Sequence, residues 1–298
     1  AEWIIDGEPS IDVWAMDVAR FGDYASPQYG TIKSSENYER RFIMTFPNET
    51  LPKGRKQKTT ALYDRFVNQG AVMGDSFGLE NVLWFANNKE DAHEEPTIKR
   101  SRSHDYVSKE VINVRENVGL IEVANFSKHE FKGTDARKFL DHVMAGKLPK
   151  PGRISLSPML SYRGKLCGDL TVACFDENEF MVFGSGAAQE MHRRWFESHL
   201  DKFDVNYKNR SDEFHGISIA GPNSRKVLEK IVRDNVTNEK FKFRDSRRMF
   251  VGGVPAIINR ISFTGELGYE IYVAPHYQIK LYEELMEAGK EFNIKPFG

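Results

Sequence analysis

Apolar residues recur at helical spacing in several stretches of the chain. In residues 135–144, Ala136, Phe139, Leu140 and Val143 share one face. Residues 275–292 do the same with Leu281, Tyr282, Leu285, Met286, Ala288 and Phe292. The pattern also predicts helices over 60–70 and 189–200. A further helix is expected over 11–21, with positions 11, 14, 15, 18 and 21 apolar. Strand character marks 154–160, 169–174, 180–183, 254–261 and 269–273, the last with Tyr269, Ile271 and Val273 on one side. Residues 216–223 read as a strand and turn opening a helix that runs to about 232, with Asn223 or Ser224 as its cap. Residues 3–9 suggest a short strand entering a Gly/Pro turn. Residues 37–45 read as a helix or a strand approach. The polar stretch 87–103 reads as a long exposed loop.

Many connections between these elements are short or hairpin-like. That favours an α+β fold with mixed or antiparallel sheets over a doubly wound parallel sheet. The helix at 11–21 has no evident partner of its own and is expected to belong to a preceding domain. With 298 residues the chain has room for two domains.

Composition excludes some functions. The net charge is −1 without a long single-sign run, so no broad basic face for nucleic acid is expected. No apolar run reaches the roughly 18–20 residues that span a bilayer. Two cysteines, Cys167 and Cys174, are too few for a disulfide framework or a four-ligand zinc site, so reduced thiols are expected. The sequons at Asn125 and Asn235 are expected to be unused. No G-x-G-x-x-G fingerprint, P-loop, H-E-x-x-H or G-x-S-x-G is present; Gly184-Ser185-Gly186 comes closest but lacks the third glycine. The scattered histidines suggest no catalytic role.

Two glycine-flanked carboxylates stand out. Asp169 follows Gly168 at the entry of an apolar strand. Near a core, such a group could serve as a general base or stabilise a cation; alternatively it caps a turn. Glu266 lies between Gly265 and Gly268. Held in that turn, its two oxygens could accept parallel N–H bonds from an amidine-like ring edge. The alternatives are a solvated turn carboxylate or a partner for Arg260.

The stretch Arg260-x-Ser262-x-Thr264-Gly265-Glu266-x-Gly268-Tyr269-Glu270, together with Gly164-x-x-x-x-Asp169-Leu170-x-Val172, resembles the signature of glycine-cleavage T-proteins, the aminomethyltransferases. The wider pattern is similar to the C-terminal part of dimethylglycine and sarcosine dehydrogenases. It includes Phe126-Ser127-Lys128, Lys132-Gly133-x-Asp135-Ala136, Pro158-Met159-Leu160 and Ala220-Gly221-Pro222-Asn223-Ser224-Arg225. Residues 3–21 resemble the tail of that family's flavin-binding domain.

The resemblance implies a T-protein-like folate-binding fold without its terminal barrel. It divides the chain into a flavin-domain tail (1–28), a connecting segment (29–105) and a folate-binding domain (106–298) that is cut short. It implies tetrahydrofolate as cofactor here, FAD in a preceding domain of the parent, and an iminium derived from an N-methyl amine as substrate. The alternatives are a non-catalytic folate-binding module and a folate-dependent demethylase of another methyl donor. By resemblance, Asp169 is catalytic and takes up the proton released as a folate nitrogen attacks the iminium carbon. Glu266, Leu156, Phe183, Ser185, Tyr269 and Arg260 are assigned to folate. Leu79 stands where the family often has Trp, which would alter packing beside the folate. The expected compartment is the cytoplasm, or the mitochondrial matrix in a eukaryote. The fragment alone is expected not to oxidise amines and to bind folate weakly.

Overall fold

A computed structural model describes residues 1–7, 10, 13–47 and 49–298. In chain order the elements are α1 (Glu2–Asp6), α2 (Pro27–Glu39), α3 (Tyr63–Asn68), β1 (Ala71–Ser76), β2 (Leu79–Phe85), α4 (Ser103–Glu116), β3 (Val118–Glu122) and β4 (Phe126–Lys132). Then follow α5 (Ala136–Val143), β5 (Arg153–Leu160), β6 (Leu166–Asp176), β7 (Glu179–Ser185), α6 (Gln189–Glu197), β8 (Asn206–Asn209) and β9 (His215–Ala220). The chain ends with α7 (Ser224–Ile231), β10 (Ser246–Val251), β11 (Val254–Asn259), β12 (Gly268–Val273), α8 (Gln278–Gly289) and β13 (Ile294–Pro296).

Two sheets face each other. One has six strands in the order β10-β11-β12-β9-β3-β13; the other has five, β5-β6-β7-β4-β8. All pairings are antiparallel except β13 with β3. Side chains from the two facing surfaces, including Ile154, Ala173, Met181, Phe183, Ile257 and Tyr272, interlock between the sheets. Helices cover the outer faces. α7 and α8 lie on the six-stranded sheet, burying Val227, Leu228, Leu281 and Leu285 with Ile219 and Ile271. α5 covers the five-stranded sheet through Phe139, Leu140 and Val143, and α6 through Phe196, against Phe131, Leu170 and Val182. β1 and β2 form a separate hairpin. The fold is the predicted α+β mixture of helices with mixed and antiparallel sheets.

The long periodic segments match the elements they predicted. Residues 135–144 hold α5, with the four expected side chains buried, and 275–292 hold α8 flanked by 3-10 turns. Weaker signals fail near the N-terminus. The expected strand at 3–9 is helical over Glu2–Asp6, while Glu8 and Pro9 lie outside the described residues. The expected helix at 11–21 forms two 3-10 turns, Trp14–Met16 and Val18–Phe21; Ile11 and Asp12 are outside the described residues. This segment docks on α6, where Arg194 meets Asp17 at 3.3 Å and the Trp14 indole donates to the Ala187 carbonyl at 3.3 Å. Docking on another element replaces the regular helix that periodicity alone suggests. Asn223 is the N-cap of α7, but its side chain makes no cap bond; it accepts from Lys226 at 3.0 Å.

Candidate functional site

Strand register places the candidate residues. Leu156 pairs with Thr171, Thr171 with Phe183, and Phe183 with Lys128. Paired residues point to the same face. One step along, Pro158 pairs with Asp169, and Ser185 with Phe126. Leu156, Asp169, Phe183 and Ser185 therefore occupy two adjacent rows on the inner face of the five-stranded sheet. Leu156 is 64% exposed, whereas Phe183 is buried against Tyr272 with ring centroids 4.6 Å apart. The rows thus run from a packed interior at Phe183 to an open surface at Leu156 and Asp169.

Asp169 is exposed and has no hydrogen-bond or ion partner among the described residues. The expectation that burial at a core edge would govern it does not hold, because the side chain points to the open end of the face. Neither does the turn-capping alternative, since Asp169 lies within β6. Its neighbour Gly168 is needed for packing on the other side of the strand. A Cβ there would come 2.8 Å from His192 Nε2. Gly184 is likewise pressed against His192, at 3.0 Å from Nδ1. The glycines beside Asp169 and Ser185 let α6 approach the sheet directly behind this face.

Glu266 sits elsewhere. Gly265 at φ 81° makes the turn, and the Ser262 hydroxyl donates to the Glu266 carbonyl to close it. The half-exposed carboxylate faces Arg115 of α4 at 3.8 Å, not Arg260. Arg260 and Tyr269 are held by contacts within the fold. The Arg260 guanidinium donates to Asn238 Oδ1 at 2.7 Å and to the Phe241 carbonyl. Tyr269 points into the helix-covered core, accepts from Arg225 Nε at 3.0 Å and stacks on Phe241. Leu79 opens β2 in the separate hairpin and is not on the Asp169 face.

The alternation that turns Tyr269, Ile271 and Val273 toward the helices turns Glu270 and Tyr272 toward the other sheet. Glu270 is 5% exposed, and Tyr272 Oη donates to its Oε2 at 2.8 Å. Burial pushes the Glu270 carboxyl up to about 7. Lys128 and Asn259 are buried nearby, and Glu122 lies on the helix-covered side of the six-stranded sheet. Lys128 opposes Phe183, and burial pulls its ammonium down to about 7. Glu122 accepts from Gln278, and burial raises it to about 7. Asn259, paired with Glu270 across the strands, accepts from Ser246 Oγ at 2.7 Å. Glu270 thus faces the space between the sheets, whereas the Glu266 carboxylate lies in an outer turn beside Arg115. The period of β12 was the available signal for it, masked by the glycine-bounded turn that draws attention to Glu266.

Two cavities lie apart from Asp169. One of about 520 Å³ opens between β4, β7 and the β10–β11 hairpin, with Met181, Ile257 and Tyr272 in its wall. The other, of about 620 Å³, is polar and lies where residues 20–24 meet α6 and the 209–213 segment. Among the described residues no group of three or more His, Cys, Asp or Glu side chains is arranged to hold a metal. Cys167 and Cys174 are free thiols. No described helix is long and apolar enough to cross a membrane.

This architecture, two facing sheets between helical layers, is that of a T-protein domain. The chain belongs to the family of the GCVT N-terminal domain, whose model matches residues 62–298. The model of the FAD dependent oxidoreductase central domain matches residues 6–60. The two matches meet inside the span that the sequence suggests is a connecting segment. Human dimethylglycine dehydrogenase, mitochondrial, is 34% identical over 302 residues, covering 100% of this chain and 35% of that protein. Human sarcosine dehydrogenase, mitochondrial, is 26% identical, covering 99% of this chain and 37% of that protein. An aminomethyltransferase from Thermoanaerobacter pseudethanolicus is 29% identical over 188 residues, covering 62% of this chain and 50% of that protein. The chain thus spans about a third of the length of the dehydrogenases it matches. The glycine cleavage system aminomethyltransferase T of Bartonella henselae superposes with a TM-score of 0.65 at 20% identity, over 80% of this chain and 59% of that one. That likeness supports the fold.

Proposed function

We propose that the inner face carrying Asp169 binds a reduced folate and supports one-carbon transfer at its nitrogens, within a flavin-linked dehydrogenase of N-methyl amines. The observation that carries this is a free, exposed carboxylate on one sheet and a buried carboxyl on the sheet that faces it. Between Asp169 and Glu270 lie Phe183 and Tyr272, with Leu156 and Ser185 at the open end. A flat heteroaromatic ring with an amidine edge and reactive nitrogens farther out matches that order of groups.

Bound tetrahydrofolate would supply the nucleophilic nitrogen. The chain's residues do the rest. Leu156 and Phe183 offer apolar surface to the ring. The ionised Glu270 carboxyl accepts paired N–H bonds. Asp169, unpaired, takes the proton lost when nitrogen attacks the iminium carbon, or balances the positive charge before that loss. Its lack of a competing partner leaves its oxygens available for that work. The residues matched to the oxidoreductase model contain no glycine-rich dinucleotide fingerprint.

Titration with tetrahydrofolate, followed by calorimetry, tests the site. Glu270→Gln should weaken binding at least about tenfold, equivalent to about 1.4 kcal/mol. Asp169→Asn should bind nearly as well as the unaltered chain, yet abolish methylene transfer in the full-length protein. Transfer unchanged by Asp169→Asn would remove the catalytic assignment and leave a folate-holding module.

A further inference from the structure

Lys128 is fully buried in the interior between the sheets. Its ammonium donates to the carbonyls of Ala124 at 2.7 Å and Ser211 at 3.4 Å, and it forms no ion pair among the described residues. The backbone holds it in place. Its N–H donates to Ser211 Oγ at 3.0 Å, and its carbonyl accepts from the Arg210 N–H at 2.7 Å. A buried ammonium without a carboxylate in contact is costly, so its position calls for a physical reason.

The surroundings supply one. Nζ lies 5.9 Å from the centroid of the Tyr272 ring, and the hydroxyl of that ring bonds Glu270. The charged groups facing Lys128 are Asp212 from the 209–213 segment, Glu122 from β3 and Glu270 from β12. Those facing Glu270 are Lys128 and the Tyr272 hydroxyl. We propose that Lys128 is a positioning residue for Glu270: acting through the interior beside Tyr272, it keeps that carboxyl ionised to accept the amidine edge of a reduced folate, without touching the ligand. This rests on the role given to Glu270 in the proposed function. The same burial that raises Glu270 is opposed by the field of the Lys128 cation. Removing the cation therefore drives the carboxyl further up and leaves it protonated, and unable to accept two N–H bonds, over a wider pH range.

Lys128→Met keeps the length of the side chain and removes its charge, while Lys128→Arg keeps the charge. Isotope-edited NMR of the ligand-free chain, with the Glu270 signal assigned by Glu270→Gln, reads the carboxyl directly. Its midpoint should rise by about one pH unit in Lys128→Met and return in Lys128→Arg. Tetrahydrofolate affinity measured between about pH 6 and pH 9 should fall severalfold near neutrality in Lys128→Met and recover at the alkaline end. A purely structural role for Lys128 would weaken binding equally at every pH.

An unmoved Glu270 midpoint in Lys128→Met overturns the proposal. If that variant does not fold, the unaltered chain still decides: Lys128 and Glu270 must titrate as a coupled pair, and independent midpoints overturn it. If Glu270→Gln binds tetrahydrofolate as tightly as the unaltered chain, the assignment of Glu270 to the ligand fails and this inference fails with it. Weakened binding in Glu270→Gln beside an unmoved Lys128→Met profile defeats this inference alone.

Discussion

Gly168 shows how a single residue joins the candidate site to the packing behind it. The sequence flags it only as the neighbour of Asp169. In the fold it is where the His192 imidazole of α6 meets the strand, and a methyl group there would lie 2.8 Å from Nε2. His192 is buried and is also pressed on by Gly184, so it has little room to move. Gly168→Ala should therefore cost about 1–3 kcal/mol of stability through overpacking. Urea unfolding at neutral pH reads this cost. An unchanged midpoint would mean that α6 can shift away, and the close approach would then have no part in fixing the Asp169 face.

Among the elements, α8 and β12 show what periodicity conveys and what it leaves out. The apolar arc of α8 predicts both the helix and its buried face, and Leu281, Tyr282, Leu285 and Ala288 are buried there. Leu285 is fully buried against the six-stranded sheet. Leu285→Ala should lower stability by about 2–5 kcal/mol, measured by thermal or urea unfolding. A loss below about 1 kcal/mol would show that the helix repacks at little cost. β12 has apolar residues on the side predicted, but its other side is buried too. Alternation identifies Glu270 and Tyr272 as facing away from the helices; it does not say whether they face water or a second sheet. By contrast the N-terminal segment takes its shape from docking on α6, which its apolar spacing does not encode. Strands β3, β4, β8, β10 and β13 carry no signal strong enough to name in advance. Polar residues such as Lys128, His129 and Glu130 occupy β4, and only pairing with β7 and β8 makes it a buried strand.

Across the whole molecule, buried titratable groups set opposing responses to acid. His129 and His192 lie in the helix-covered core, and burial pulls them down to about 3 and about 4. The unfolded chain binds protons at these two sites below about 6.5, where the folded chain does not. Their contribution is complete above that value and is lost as pH falls toward 4 and 3. Glu122 and Glu270 behave oppositely. Raised to about 7, they hold protons in the folded state between about 4.5 and 7, so their contribution grows as pH falls through that window. The two effects overlap, and the net stability of the protein should change little between pH 7 and pH 5. His129→Phe keeps ring contact with Phe196 and drops one titration. It should make the variant gain stability, by about 2 kcal/mol relative to the unaltered chain, on going from pH 7 to pH 5. Loss of the 2.8 Å bond to Tyr207 lowers stability at both pH values and does not alter that difference. Urea unfolding at the two pH values decides; parallel pH dependence in the two proteins would show that His129 titrates normally.

The sequence by itself determined the helices with a clear apolar arc, the α+β class, the family signature and Asp169 as a candidate, because each depends on residues near one another in the chain. It also singled out Leu156, Phe183 and Ser185, which the register places on one face with Asp169. Tertiary structure decided which carboxylate faces inward. Glu266 and Glu270 are four residues apart; one ends in a solvent-facing turn beside Arg115, the other between two sheets. That difference depends on β12 pairing with β9 and β11, and on the second sheet closing over it. The approach of the two sheets is also what buries Lys128 beside Tyr272, a long-range contact that no local pattern encodes.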